Sequence, residues 1–280
     1  WYPDTMSTGA ATLLSIASIL GGEPYSPPAI NARQPHSLRM ELQKGFATLP
    51  NVFIPRGYDV AFADVDELVP SEFSLVCPRV TDMLLVGKSF VSAYTPLWRK
   101  RMGLPSPMPE SQAPFLASVG LFYASPWFLR QFIYYEGSWM NTQTVIHNPS
   151  EGPMAMLHLL PEISGADRST PTLKYIASQA VHYPWRLDRQ TCMPVDVTAQ
   201  TRQADGAIVQ HLDTERCALR AIARWVNWMQ SAGVYDNTQI ILASDHDGND
   251  NALGREYGDM RKNGVPWKPH ALLMVKAMGA

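Results

Sequence analysis

Apolar positions along this chain recur at two spacings, and the two alternate. From Thr12 to Leu20, the residues Leu13, Ile16, Ala17 and Leu20 fall at helical spacing, and Gly21-Gly22 stops the run. The small-residue turn Ser7-Thr8-Gly9-Ala10-Ala11 stands before it, so Thr12 is expected at or near a helix N-terminus. A second helix is predicted from about Ser37 to Phe46, and Tyr58-Asp59-Val60-Ala61-Phe62-Ala63 reads as a strand. Ala117 to Tyr135 is the one long apolar stretch, but Pro126, Arg130 and Gln131 interrupt it. A bilayer core penalises such breaks, and two amphipathic helices are expected instead.

The second half repeats the alternation. Thr172 to Val181 is rich in strand-forming residues and is expected to deliver His182 into the loop His182-Tyr183-Pro184-Trp185. Thr214 is predicted to cap a helix whose Leu219, Ile222, Val226 and Met229 form one apolar stripe, ended by Gly233. Thr238-Gln239-Ile240-Ile241-Leu242-Ala243 has the β-branched, apolar character of a buried parallel strand. It runs into Ser244-Asp245-His246-Asp247-Gly248, and Ala271 to Lys276 is a last short strand.

Helices alternating with strands favour an α/β sheet, and no repeat or low-complexity run interrupts the pattern. At 280 residues one domain spanning 1–280 is the economical reading, with the proline-rich region from about Pro96 to Ser169 as a cap or insertion. A hydrophobic fraction of 46% with 17% charged residues describes a packed protein rather than a disordered one. With 23 basic against 25 acidic residues there is no global field to hold a nucleic-acid backbone, so no nucleic-acid partner is expected. The three cysteines, Cys77, Cys192 and Cys217, show no CxxC spacing, and an odd number cannot pair completely within one chain; buried thiols are favoured over a disulfide. The sequence opens at Trp1 without Met or a signal-like core, and is expected to be an excised piece.

The chemistry concentrates at two places. An aspartate and a histidine just past the end of a buried strand lie where open α/β sheets put their ligands. A carboxylate oxygen and a neutral imidazole both suit Zn²⁺ or a similar divalent ion, which makes Asp245 and His246 the candidate metal ligands. Thr12 is the other. An unassisted hydroxyl is a weak nucleophile and a threonine at a helix start is commonly just a cap. A metal ion lowers a hydroxyl's pKa, however, and the free N–H groups of a helix start favour an incoming phosphate.

The segment Tyr2-Pro3-Asp4-Thr5-Met6-Ser7-Thr8-Gly9-Ala10-Ala11-Thr12-Leu13-Leu14-Ser15-Ile16 resembles the nucleophile segment of the membrane-anchored phosphoethanolamine and phosphoglycerol transferases, in the alkaline phosphatase and sulfatase superfamily. Ile240 to Gly248 resembles their strand ending in Ser-Asp-His-Gly, and Thr172-Leu173-Lys174-Tyr175-Ile176 leading to His182-Tyr183-Pro184-Trp185 is similar to their strand ending in His-x-Pro-aromatic. Gly57-Tyr58-Asp59-Val60 and Pro269 to Lys276 are similar to weaker signatures, and the order of all of them agrees from Tyr2 to Lys276. The resemblance implies a sulfatase-like three-layer α/β fold with a mostly parallel central sheet, here truncated at its N-terminus. It implies a covalent phospho-threonine formed at Thr12 from a phospholipid or other phosphodiester, Zn or Mn held by Thr12, Asp245 and His246, and a phosphate or leaving-group contact from His182. It also implies a parent protein anchored in the bacterial inner membrane by segments absent here, with this domain facing the periplasm.

Some positions depart from the pattern. The family's first acidic ligand precedes the nucleophile by some tens of residues, hence lies upstream of Trp1, and this piece is expected to bind metal poorly. Asp247 stands where the resemblance predicts glycine, Ala177 where some relatives have histidine, and His270 is the one residue available for a second substrate-contacting histidine. A non-catalytic lipid-binding or regulatory relative of the same fold is the rival reading. A formylglycine sulfatase needs Cys/Ser-x-Pro-x-Arg, which Cys77-Pro78-Arg79 does not supply, and Gly87-Lys88-Ser89-Phe90-Val91 lacks the final glycine of a serine-hydrolase elbow.

Overall fold

The computed structural model describes residues 2, 5–8, 11–63, 65, 68–87, 93–104, 113–134, 151–182, 185, 187–194, 199–246 and 271–279. Its helices and strands, in chain order, are α1 (Thr12–Gly21), α2 (Pro27–Arg33), α3 (Leu38–Phe53), β1 (Asp59–Ala63), α4 (Pro70–Val76), β2 (Met83–Val86) and α5 (Tyr94–Arg101). There follow α6 (Ala113–Ala124), α7 (Trp127–Tyr134), α8 (Glu151–Ile163), β3 (Thr172–Ile176), α9 (Ala199–Ser231), β4 (Ile240–Ala243) and β5 (Leu273–Lys276).

The architecture is mixed α/β. A small parallel sheet has the order β2-β1-β3, with Val60 opposite both Met83 and Leu173 and Phe62 opposite both Leu85 and Tyr175. β1 lies between its two parallel neighbours, and Val60 and Phe62, on one face of it, are buried in a core shared with residues of α1 and α3. The chain enters β1 through Gly57, whose φ of 81° admits glycine where other residues would be strained.

Helix α1 packs on α3 at close range. A Cβ placed on Gly45 would lie 2.9 Å from the Ala17 carbonyl oxygen and 3.0 Å from the Ala17 methyl, so the absence of a side chain at Gly45 sets the separation of the two helices. Ser37 caps α3, its hydroxyl accepting from the Met40 N–H. The helix continues past the predicted end at Phe46 to Phe53, with Pro50 inside it.

A second core joins α5, α8 and α9. Trp98, Met154, Leu157, Leu160, Cys217 and Ala221 are buried in it, and the ion pair Arg99–Glu151 at 2.7 Å ties α5 to α8. The region expected as a cap therefore supplies, in α8, a helix of this core. His158 lies there between Trp98 and Arg224. Burial, and then the neighbouring guanidinium, push its pKa down to about 4. The unfolded chain takes up this proton near pH 6.5 while the folded chain refuses it until about pH 4. This contribution to stability is therefore complete above pH 6.5 and is lost as the pH falls toward 4. The ring retains some solvent contact, and the expected loss is about 2 kcal/mol. Urea unfolding of the wild type and of His158→Gln at pH 7 and near pH 4.5 measures it, and the difference between the two proteins shrinks to zero if His158 titrates normally.

Four expectations are corrected. β4 is not a parallel strand of the main sheet: it pairs antiparallel with β5, Ile241 opposite Val275, and Ile241 is exposed. β3 ends at Ile176 rather than Val181, leaving His182 on a turn. Thr214 caps nothing, since α9 runs through it and its hydroxyl donates to the Gln210 carbonyl one turn back. The apolar stripe of α9 is rotated, with Cys217, Ala218 and Ala221 buried beside Met229 and Leu219 exposed.

Candidate functional site

Two chain segments converge on β5 from opposite edges. On one edge lies β4, and its exit is clamped: the Ser244 N–H donates to the Leu272 carbonyl at 2.9 Å, and the Leu272 N–H donates to the Ser244 hydroxyl at 2.7 Å. Asp245 and His246 follow immediately and inherit that direction. On the other side, the Tyr2 N–H donates to the Leu273 carbonyl and the Ala271 N–H donates to the Thr5 carbonyl, both at 3.0 Å. Successive residues of an extended strand present their backbone groups to alternate edges, so β5 can hold both neighbours at once. The segment along its second edge leads into α1.

Thr12 is the first residue of α1. Ala11 before it is extended, at φ −145° and ψ 141°, and offers no side-chain cap. Its carbonyl accepts from the Leu14 and Ser15 N–H groups. Below, Ser15, Ile16, Ala17 and Leu20 are buried on α3, which holds the helix axis in place.

Thr12 Oγ1 lies 3.1 Å from His246 Nε2, across 234 positions of sequence, and Asp245 Oδ2 lies 3.4 Å from the same nitrogen. This differs from a nucleophile–base–orienter relay, in which the carboxylate holds the far nitrogen of the ring. Here a hydroxyl oxygen, a carboxylate oxygen and an imidazole nitrogen crowd together on one side. Zinc bonds of about 2.0–2.2 Å at tetrahedral angles set neighbouring donor atoms about 3.3–3.6 Å apart, a range that holds the 3.4 Å between Asp245 and His246, while the 3.1 Å between Thr12 and His246 is that of a hydrogen bond; the donor chemistry of the three suits a divalent ion. Among the described residues no group of three or more His, Cys, Asp or Glu side chains could hold a metal ion.

His182 is exposed, on a turn closed by its own N–H donating to the Gln179 carbonyl. The turn is anchored downstream. Trp185 is buried, its indole N–H donates to the Val181 carbonyl, and its ring leans on His211 of α9 at 4.7 Å between centroids. Asp188 accepts from the Gln190 and Thr191 N–H groups and from the Thr191 hydroxyl; the Thr191 bonds chiefly hold its carboxyl below the usual range.

A disulfide between Cys192 and Cys217 then fastens this segment to α9, and Cys77 remains a buried thiol. The preference for three buried thiols is thereby corrected. Pairing of cysteines 25 positions apart depends on how α9 folds back, which spacing alone does not reveal. Arg220 of α9 reinforces the attachment by donating to the Arg189 and Gln190 carbonyls. These anchors behind His182 carried no motif signal.

The structure thus brings Thr12, Asp245 and His246 together and seats His182 at a pinned turn beyond β3. His270, Asp247 and Gly248 lie outside the described residues. Compared with protein-family models, with curated proteins and with solved structures, the chain matches none.

Proposed function

We propose that this chain is a sulfatase-like phospho-transfer domain that attacks a phosphodiester with Thr12 and passes through a covalent phospho-threonine. The observation that carries the reading is the approach of Thr12 Oγ1 to His246 Nε2 at 3.1 Å, with Asp245 Oδ2 beside the same nitrogen. The parallel β2-β1-β3 sheet with its flanking helices is compatible with a sulfatase-like fold. The disulfide supports an oxidising compartment such as the periplasm.

Thr12, Asp245 and His246 would hold the divalent ion, Zn or Mn. Once bound, it would lower the pKa of the Thr12 hydroxyl and offset charge on the transferring group. The remaining steps belong to the chain's own groups. Thr12 Oγ1, its proton lost to solvent beforehand, forms the bond to phosphorus as the alkoxide and the bond from phosphorus to the leaving alcohol breaks, with the electron pair staying on that oxygen. His182 gives it a proton. The open N–H groups at the start of α1 receive the phosphoryl oxygens. In the second half, water or an acceptor alcohol gives a proton to His182, attacks phosphorus and restores Thr12.

Two measurements test this. Zinc titrated by calorimetry into the protein is expected to bind weakly, with one-site stoichiometry, and His246→Ala to remove the binding isotherm through loss of a direct ligand. Mass spectrometry after incubation with a phosphodiester is expected to find the phosphoryl adduct on Thr12. Equal zinc affinity in the variant, or an adduct at another residue, overturns the assignment.

A further inference from the structure

The last rung between β4 and β5 is made differently from an ordinary one. In the register of the pair, Ala243 stands opposite Leu273, so Ser244 comes next, opposite Leu272. A hydrogen-bonded antiparallel pair exchanges two backbone bonds, each N–H donating to the facing carbonyl. Ser244 makes the first of them in the usual way, its N–H donating to the Leu272 carbonyl at 2.9 Å. The return bond runs from the Leu272 N–H to the Ser244 hydroxyl at 2.7 Å, in place of the Ser244 carbonyl. The side chain completes the rung, and the peptide that follows Ser244 is released to turn out of the ladder. The partner strand does not cause this break, because Ala271 is still held on the other edge by the bond from its N–H to the Thr5 carbonyl at 3.0 Å.

The two residues after the break depend on it. Along a strand, consecutive side chains point to opposite faces. Were the ladder to continue, Asp245 and His246 would face away from each other. Instead Asp245 Oδ2 lies 3.4 Å from His246 Nε2, and Thr12 Oγ1 lies 3.1 Å from the same nitrogen. Two consecutive residues bring their side chains to one point only where the extended backbone has ended, and β4 ends at Ala243. A residue at 244 without a side-chain acceptor would leave the Leu272 N–H, in a part-buried contact, to pair with the 244 carbonyl as an ordinary rung does. That pairing draws the strand onward and separates Asp245 from His246.

We propose that Ser244 is a positioning residue, whose hydroxyl ends the β4–β5 ladder one residue ahead of the site and so turns Asp245 and His246 together toward Thr12. Its part in metal binding rests on the phospho-transfer reading, whereas its geometric part is measurable in metal-free protein without turnover. The variants are S244A, S244T and S244V, the last two alike in shape and differing in the presence of the hydroxyl. All are expected to remain folded, since the residues of β4 and β5 belong to neither buried core. In metal-free wild-type protein, NMR is expected to show a nuclear Overhauser contact between the Thr12 γ-methyl and the His246 ring. S244T is expected to keep that contact, and S244A and S244V to lose it. Zinc affinity is expected to fall about tenfold or more in S244A and S244V and to persist in S244T, the scale on which losing a group that orients metal ligands acts. A contact and a zinc isotherm unchanged in S244A and S244V overturn the proposal and make Ser244 an ordinary rung. Loss of the contact in S244T as well as in S244V also overturns it, because the branch and not the hydroxyl would then decide. Wild-type protein that binds no zinc while the contact follows the expected pattern upholds the role of Ser244 and overturns the phospho-transfer reading instead.

Discussion

Thr12→Ala is expected to lower turnover of a phosphodiester by at least about 10⁴-fold, the scale on which loss of a covalent nucleophile acts. The fold is expected to survive, because α1 is held by Ser15, Ile16, Ala17 and Leu20 on α3 rather than by its first residue. Removing the hydroxyl forfeits its bond to His246, about 1 kcal/mol. Thr12→Ser restores a hydroxyl at the same place and is expected to recover most of the activity, which a purely structural role for the γ-methyl group would not produce. Steady-state kinetics on the three proteins, with urea midpoints alongside, separate the outcomes. Activity in the alanine variant near that of wild type removes Thr12 from the chemistry and leaves the Thr12–His246 contact as an ordinary tertiary hydrogen bond.

The pair of segments that meet at Thr12 was the most legible part of the sequence. The glycine stop at Gly21-Gly22 and the spacing of Leu13, Ile16, Ala17 and Leu20 placed a helix that the structure contains from Thr12 to Gly21. The β-branched run before Asp245 and His246 placed β4 with similar fidelity. Local pattern stops short of partners. Ile240–Ala243 is equally apolar whether its neighbour is parallel or antiparallel, and only long-range pairing with β5 decides. Thr214 illustrates a second limit, since a threonine hydroxyl serves a cap or bonds back to the carbonyl one turn earlier with the same residue. On α6 and α7 the apolar run predicts two helices correctly, but whether Trp127 and Phe132 face a core or the surroundings is settled by packing alone. The disulfide is the extreme case, because its two cysteines come together only through the fold of the segment between β3 and α9.

That disulfide leads to the other large expected effect. Cys192–Cys217 closes a loop of 25 positions, and its removal as C192S/C217S is expected to cost about 3 kcal/mol by releasing the unfolded chain from that constraint. The cost is not spread evenly. On the Cys192 side of the bond lie the Asp188 turn, the buried Trp185 and then His182, and the fastening to α9 that remains includes the contact of Trp185 with His211, the ion pair of Arg189 with Asp213 and the carbonyl bonds of Arg220. The double variant is therefore expected to lose precision at His182 while keeping Thr12, Asp245 and His246 together, since β5 and its two edges hold those. Leaving-group chemistry distinguishes the two consequences. If His182 donates the proton, formation of the phospho-threonine from a diester with an alkyl leaving group, followed in a single turnover, is expected to slow by about 10²-fold or more in both C192S/C217S and H182A, whereas the same half-reaction with a nitrophenyl diester, whose leaving oxygen needs no proton, stays within about tenfold of wild type. Equal slowing of both substrates would instead assign His182 to phosphate binding, and unchanged rates on both would remove it from the reaction. The stability loss, read from urea midpoints of oxidised and reduced wild-type protein, is expected in every case.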